Sequence, residues 1–319
     1  MLSHRLFVPS TRQYVRAFLA FVAGLALTCT PRTSVAHGFA GQRFFPATLS
    51  TDDPFVADEL SLPTLSTIRT PDDGGTREFD VSIELAKRIT PSLDIEIGVN
   101  LVNLFPRHGS DRTGFSNLEL GSKYQAYTNA AHELILSLGV DIDVGGTGSR
   151  RVGRDPFTTW TPGLFFGKGF GDLPASLPWL RPFALTGNLG VDIPSSASTR
   201  SGDDVDRNPV SLETSFALEY SFIYLQEHVR DLGLKAPFNR LIPLVEFVVE
   251  TPLDRGQAGR TTGTVNPGVI WSGRYCQFGV EAVIPLNDRT GHNVGVLGQL
   301  HFYLDDLFPH TLGKPLFGK

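Results

Sequence analysis

The fold class is decided by residues 133–144, which read ELILSLGVDIDV. Every even position in this stretch is Leu, Ile or Val, whereas the odd positions include Glu133, Ser137, Asp141 and Asp143. A period of two is that of a β-strand with one apolar face and one polar face. The stretch therefore predicts a long strand that separates an apolar environment from an aqueous one.

The same alternation recurs from about residue 60 to residue 304, in segments separated by clusters of Gly, Pro, Asp, Asn and Ser. Clear examples are 79–86, 93–101 and 278–284, and a weaker one at 60–69 brings the total to about twelve strands. An even number is typical of bacterial outer-membrane barrels. We therefore predict an all-β, up-and-down antiparallel transmembrane β-barrel of about 12 strands over residues 60–304.

The connections and the aromatic residues favour the same interpretation. Short connections such as 90–92 tend to alternate with long polar ones such as 145–157, as short periplasmic turns alternate with longer outer loops. A soluble β-sandwich would show the same alternation but shorter strands. Eight aromatic residues are expected near the periplasmic strand ends on the apolar face, as an interfacial girdle: Tyr124, Phe166, Phe170, Phe183, Phe222, Tyr224, Trp271 and Phe302.

The N-terminus has the pattern of an export signal. Residues 1–36 contain four arginines and no acidic residue, an apolar core at 17–27 and a small-residue ending at Ser34-Val35-Ala36. We predict a signal peptide at 1–36 and location in the cell outer membrane. Its removal would shift the formal charge from −5 to about −9.

Two segments flank the predicted barrel. Residues 37–59 show no sustained period, so the sequence leaves open whether they plug the barrel, extend into the periplasm or join the wall. Residues 305–319 form a C-terminal tail after the last strand.

Composition excludes other classes. Charged residues make up only 19% of the chain, and Gly (33), Pro (22) and Phe (23) are abundant, which excludes a coiled coil or a disordered chain. A net charge of −5 gives no basic footprint for nucleic acid. We expect no cofactor and no metal, and the expected partners are outer-membrane lipid, lipopolysaccharide and an unidentified small solute.

The closing part of the chain adds a resemblance. It reads NPGV at 266–269, GVEAVIPL at 279–286 and QLHFYLDD at 299–306. Together with the export signal and the alternating strands, it resembles uncharacterised Gram-negative outer-membrane barrels that are catalogued as transporters, some under a phenol-degradation meta-pathway label. The resemblance implies passive transport and supplies no catalytic residues. One departure is that such barrels commonly end on an aromatic residue of the last strand, whereas this chain continues to Lys319.

If the apolar faces meet lipid, the alternate faces line a lumen. Many unpaired carboxylates there require water, and acidic rings select for positive charge. We therefore expect a narrow, cation-preferring channel for small solutes, with a plugged structural or binding barrel as an alternative. The predicted lumen-lining residues are Glu84, Glu96, Glu119, Lys123, Asp141, Asp143, Asp192, Glu213, Glu219, Glu246, Glu281, Gln299 and His301.

The other alternative is an outer-membrane lipid hydrolase. Such an enzyme needs a nucleophile, a base and an orienting group within mutual reach. The sequence has no G-x-S-x-G elbow, and its histidines are scattered. The sequence leaves open whether a serine on an adjacent strand lies near His301. We expect that the protein is not an enzyme.

Overall fold

Twelve antiparallel strands form one closed sheet in the computed structural model, which describes residues 38–71, 75–201 and 204–318. The predicted signal peptide lies outside the described residues. The strands are β1 (Glu59–Thr70), β2 (Thr76–Thr90), β3 (Leu93–Pro106), β4 (Leu118–Asn129), β5 (Leu134–Val144), β6 (Thr159–Gly169), β7 (Phe183–Pro194), β8 (Ser211–Tyr220), β9 (Leu241–Pro252), β10 (Thr262–Ser272), β11 (Cys276–Pro285) and β12 (Gly295–Tyr303).

Each strand pairs with its neighbours in sequence, and β12 pairs with β1 to close the ring, for example at Val296 and Thr67. The strands contain from 9 to 15 residues, enough to cross a bilayer when tilted. The fold is thus an up-and-down transmembrane β-barrel of twelve strands, and the fold prediction is confirmed. The weak candidate at 60–69 is part of β1.

The apolar face of the sheet points outward. In β5 the side chain of Leu138 is 55% exposed, while its neighbour Ser137 is fully buried. Five other large apolar side chains predicted for this face are also exposed: Ile83, Ile97, Trp160, Leu189 and Val280. Because exposed apolar side chains on a closed barrel need a hydrocarbon solvent, this surface is the lipid-facing one.

The two ends of the barrel differ. One end is here called the short-turn end. It contains the tight turn at 91–92, the residues just before β1 and just after β12, and two longer connections, 170–182 and 221–240. At the other, the long-loop end, lie the connections 107–117, 145–158, 195–210, 253–261 and 286–294. In outer-membrane barrels these are the periplasmic and extracellular ends.

The remaining elements are short and lie in the connections or the flanking segments. Single helical turns occur at Ala130–His132, Arg150–Val152, Pro178–Leu180, Phe222–Tyr224 (continuing through Leu225–Val229), Phe238–Arg240 and Leu304–Leu307. Short strands occur at Phe39–Ala40, Arg43–Phe44, Arg112–Phe115, Ser198–Ser201 and Asp204–Arg207. Among the described residues, none of the helices has the length and apolar character to span a membrane.

One member of the predicted aromatic girdle is placed differently. Tyr224 is only 3% exposed, and its ring lies against the guanidinium of Arg43, 3.7 Å from the ring centroid. The girdle prediction is wrong for this residue because the chain leaves the sheet at Ser221 and forms a helical turn. Strand alternation no longer fixes side-chain direction there.

Candidate functional site

The N-terminal residues 38–58, here called the internal segment, lie inside the barrel. Phe45 and Phe55 of the segment are buried and form one apolar cluster with Ile135 of β5 and Ala184 of β7. Leu49 belongs to a second cluster with Ile242 of β9 and Ile270 of β10. Contacts on several strands hold the segment, so it fills much of the short-turn half of the lumen.

Arg43 anchors the segment at the short-turn end. Its Nε donates to Glu133 Oε2 at 3.0 Å, and its Nη1 donates to the carbonyl oxygen of Pro182 at 3.0 Å. Both charged side chains are almost fully buried. Since a buried charge is tolerated only with a well-bonded partner, this pair fixes the segment against the turns before β5 and β7.

A second anchor lies on the β9–β11 wall. The carboxylate of Glu246 accepts hydrogen bonds from the backbone N–H groups of Leu49 (2.9 Å) and Ser50 (2.6 Å). The hydroxyl of Ser50 donates to Glu281 Oε2 at 3.1 Å. Gln277 donates to the carbonyl oxygen of Ala47. Two predicted lumen-lining carboxylates therefore hold backbone and hydroxyl groups of the protein itself.

The side formed by β1–β4 and β12 contacts the segment through charged groups. Here Lys123 of β4 places its Nζ 3.2 Å from Glu96 Oε1 and 3.7 Å from Asp53 Oδ1 of the segment. The same ammonium lies 5.0 Å from the centroid of the Phe165 ring. Burial raises the pKa of Asp53 to about 8, and the positive charge of Lys123 opposes this shift.

A cavity of about 420 Å³, here called the outer cavity, occupies the long-loop half of the lumen. Asp52, near the tip of the internal segment, contributes to its lining. Seven carboxylates line it and its lining contains no Lys or Arg: Asp52, Glu84, Glu96, Glu119, Asp141, Asp143 and Glu213. The outer cavity is therefore strongly acidic.

A smaller cavity of about 120 Å³, here called the inner cavity, lies between the internal segment and the β1–β4 side. Asp52, Glu84 and Glu96 line both cavities, so the two adjoin one another. The inner cavity is lined further by Asp53, Glu59, Ser61, Asp94, Lys123, Gln299 and His301. Lys123 is the only Lys or Arg in either lining.

The thirteen predicted lumen residues all lie on the inner side of the wall, in three groups. One group lines the two cavities: Glu84, Glu96, Glu119, Lys123, Asp141, Asp143, Glu213, Gln299 and His301. A second holds the internal segment: Glu246 and Glu281. The third bonds to neighbouring wall hydroxyls, with Thr161 donating to Asp192 at 2.7 Å and Thr186 donating to Glu219 at 3.0 Å.

Barrel closure brings a serine next to His301. The hydroxyl of Ser61 on β1 lies 3.0 Å from Nδ1 of His301 on β12, and Nε2 of the same ring lies 3.4 Å from Glu59 Oε2. All three side chains are buried at the inner cavity. The arrangement has the residue types of a hydrolase triad.

Several site residues were missed by sequence reasoning because they belong to the internal segment, which has no regular period. They include Arg43, Ser50 and Asp53. One available signal was Gly279, since a glycine inside a strand often marks close approach by another chain segment. A side-chain carbon at position 279 would lie 2.5 Å from Leu49 Cδ1. In the described part of the chain, no group of three or more His, Cys, Asp or Glu is placed to hold a metal ion.

A solved outer-membrane structure resembles the closed barrel. An outer membrane channel from Pseudomonas putida F1 superposes with a TM-score of 0.58 at 13% identity, covering 82% of this chain and 99% of the channel. The fold is that of an outer-membrane β-barrel. At this identity the likeness shows the fold alone, so the outer-membrane barrel prediction is confirmed and the phenol meta-pathway label stays a prediction.

Other barrels are less similar. The β domain of the Bordetella autotransporter BrkA has a TM-score of 0.44 at 11% identity, covering 78% of this chain and 99% of that domain. LpxR from Salmonella typhimurium has a TM-score of 0.40 at 11% identity, covering 77% of this chain and 99% of that protein. No family model and no curated protein matches the sequence.

Proposed function

We propose that this channel-type barrel passes small cationic solutes through an acidic lumen that the internal segment narrows. The observation that carries the proposal is the outer cavity, which is lined by seven carboxylates and by no Lys or Arg. Rings of Asp and Glu favour cations because they concentrate negative potential where the surrounding dielectric constant is low. Water must reach these groups, since so many carboxylates cannot ionise in a dry interior.

The route runs beside the internal segment. Contacts with Glu246, Glu281 and Gln277 hold the segment against the β9–β11 wall, and apolar packing fills the space near β5 and β7. The inner cavity lies on the β1–β4 side of the segment and adjoins the outer cavity, so we place the route on that side. A cation entering from the long-loop end would therefore pass Asp52, Glu84 and Glu96 before it reaches the inner cavity.

The inner cavity favours small or singly charged cations. Its volume of about 120 Å³ is less than a third of that of the outer cavity. An alkali ion or a primary ammonium group fits, and Lys123 already places such a group between Glu96 and Asp53.

The experiment is conductance of the purified mature protein in a planar bilayer under a KCl gradient. We expect a small single-channel conductance and a reversal potential whose sign shows selectivity for cations. The variant E119Q/D141N should give a smaller reversal potential. The matched control is Asp288→Asn, whose side chain lies fully exposed in an outer loop and should change nothing. A reversal potential of the sign of anions would refute the charge argument. Absence of conductance in both the wild type and a variant with a loosened internal segment would refute passage.

The second candidate is lipid hydrolysis, favoured by the Ser61–His301–Glu59 arrangement. Two features weigh against it. The triad faces the inner cavity and not the lipid, and the carboxylates around it would oppose the negative charge of a tetrahedral intermediate. Incubation with lipopolysaccharide and with phospholipid vesicles tests it directly. Hydrolysis by the wild type that is lost in Ser61→Ala would replace the channel proposal with an enzyme.

A further inference from the structure

Two arginines lie directly opposite each other on the outer surface of the barrel. Arg69 of β1 and Arg77 of β2 are register partners near the long-loop end. Arg77 has the same strand parity as Phe79 and Ile83, which face the lipid, so both guanidinium groups lie on the outward side. Like charges directly opposite on neighbouring strands destabilise a sheet unless a counter-charge relieves them.

The surroundings of this pair supply more positive charge. A cleft of about 700 Å³ is lined by Arg69, Arg77 and Arg107, together with Phe105, His292 and Asn293. Among the described residues, no carboxylate forms an ion pair with any of the three arginines. The guanidinium of Arg77 lies 4.6 Å from the centroid of the Phe105 ring, which holds it in place. The cleft thus gathers three guanidinium groups at the outer rim of the barrel.

An apolar strip lies beside the arginines on the same face. Val296, Thr67 and Phe79 form the next cross-strand row toward the middle of the barrel. Val296 and Phe79 are exposed, as is Val294 at the rim. Free phosphate would use only the arginines. A molecule that carries both a phosphate and acyl chains would use the arginines and the strip together.

We propose that this outer surface, defined by Arg69, Arg77 and Arg107 with Phe79 and Val296 below them, binds a phosphorylated glycolipid of the outer leaflet. The long-loop end of an outer-membrane barrel lies in the leaflet that lipopolysaccharide occupies. Arginine binds phosphate with paired, charge-assisted hydrogen bonds. The lipid phosphate would relieve the repulsion between Arg69 and Arg77, and the acyl chains would cover Phe79 and Val296. The proposal is independent of whether the lumen conducts.

The test is thermal unfolding of the delipidated mature protein in detergent, titrated with lipid A that carries both phosphates. Parallel titrations use phosphate-free lipid A and inorganic phosphate. We expect bisphosphorylated lipid A to raise the midpoint most. In R69Q/R77Q the affinity for this lipid should fall by at least about tenfold, since two charge-assisted contacts are lost.

If the arginines had only a structural role, their replacement would lower the thermal midpoint even without lipid. We expect instead that, without lipid, the midpoint of R69Q/R77Q equals or exceeds that of the wild type, because the like-charge pair is gone. The matched control is Arg260→Gln. Arg260 lies in an outer loop, where its guanidinium donates to Gln257, and this variant should keep wild-type affinity for lipid A. Unchanged lipid A affinity in R69Q/R77Q would overturn the proposal. Equal stabilisation by phosphate-free lipid A or by inorganic phosphate would also overturn it.

Discussion

Arg43 of the internal segment donates to Glu133 at the start of β5, with Nε 3.0 Å from Oε2 and both side chains buried. Glu133 also accepts a hydrogen bond from the backbone N–H of Gly171 at 2.9 Å. One carboxylate thus joins the segment to two turns of the short-turn end. The position of the segment, and with it the width of the lumen, depends on this contact.

Replacing Arg43 by methionine should release the internal segment. The change leaves Glu133 buried without its charged partner, a loss of about 3–5 kcal/mol in comparable pairs. We expect larger single-channel conductance and faster cleavage of the segment by added protease. The double variant R43M/E133Q removes both charges and should recover part of the protection. Equal protection of R43M and the wild type would show that the pair does not hold the segment.

The turn at Gly41 offers a second way to displace the segment. Gly41 has φ +64, and a side-chain carbon there would lie 2.2 Å from the carbonyl oxygen of Ala130. Gly41→Ala should therefore raise conductance and lower the thermal midpoint. The matched control is Gly256→Ala, since Gly256 has φ +79 with nothing within 4 Å of the added carbon. The control carries only the backbone cost of about 1–2 kcal/mol. If both variants behave alike, the clash with Ala130 has no effect.

Replacing Lys123 by methionine removes the only Lys or Arg side chain in the lining of the two cavities. The inner cavity then becomes more negative. We therefore expect the reversal potential under a KCl gradient to shift further toward that of an ideally cation-selective channel. Stability should fall because Glu96 loses its partner. Lys168→Met, at the short-turn end, serves as the control. A shift toward anions in Lys123→Met would contradict the proposed route.

Ionisation of Asp53 should make cation preference depend on pH. Its pKa is raised to about 8 by burial, while Lys123 acts in the opposite direction and the negative charges of Glu59 and Glu96 act in the same one. Asp53 is therefore neutral well below pH 8 and charged well above it, so the cation preference should increase between pH 7 and pH 9. His301 also faces Asp53 and opposes the shift when charged. Asp53→Asn should reduce this increase; an increase of unchanged size in Asp53→Asn would assign it to other carboxylates of the lumen.

The wall of the barrel could be predicted from the sequence, because strand alternation records which face meets lipid. Leu138 and Ser137 show this in adjacent positions, one exposed and one buried. The carboxylates of the lumen follow from the same parity. Where the chain leaves the sheet, this alternation of side-chain direction stops. For that reason the alternation wrongly predicts that Tyr224 faces the lipid.

The contents of the lumen could not be predicted. The internal segment has no period, and its partners come from strands far away in sequence, such as Glu246 and Gln277. The approach of Ser61 to His301 depends on the pairing of the first strand with the last. That pairing is set by the register of the whole ring, which no local pattern records.

The seam between β1 and β12 has a consequence for biogenesis. Asp58 ends the internal segment, and its carbonyl oxygen accepts a hydrogen bond from Leu304 N at 2.8 Å, directly after the last strand. The same Asp58 pairs through its carboxylate with Lys87 and Arg88 of β2. Insertion of the segment is therefore linked to completion of the ring, since both use the residues at this junction. A nascent polypeptide halted before Gly295 would lack β12, so the first strand would keep an unpaired edge and the segment would lack a finished enclosure.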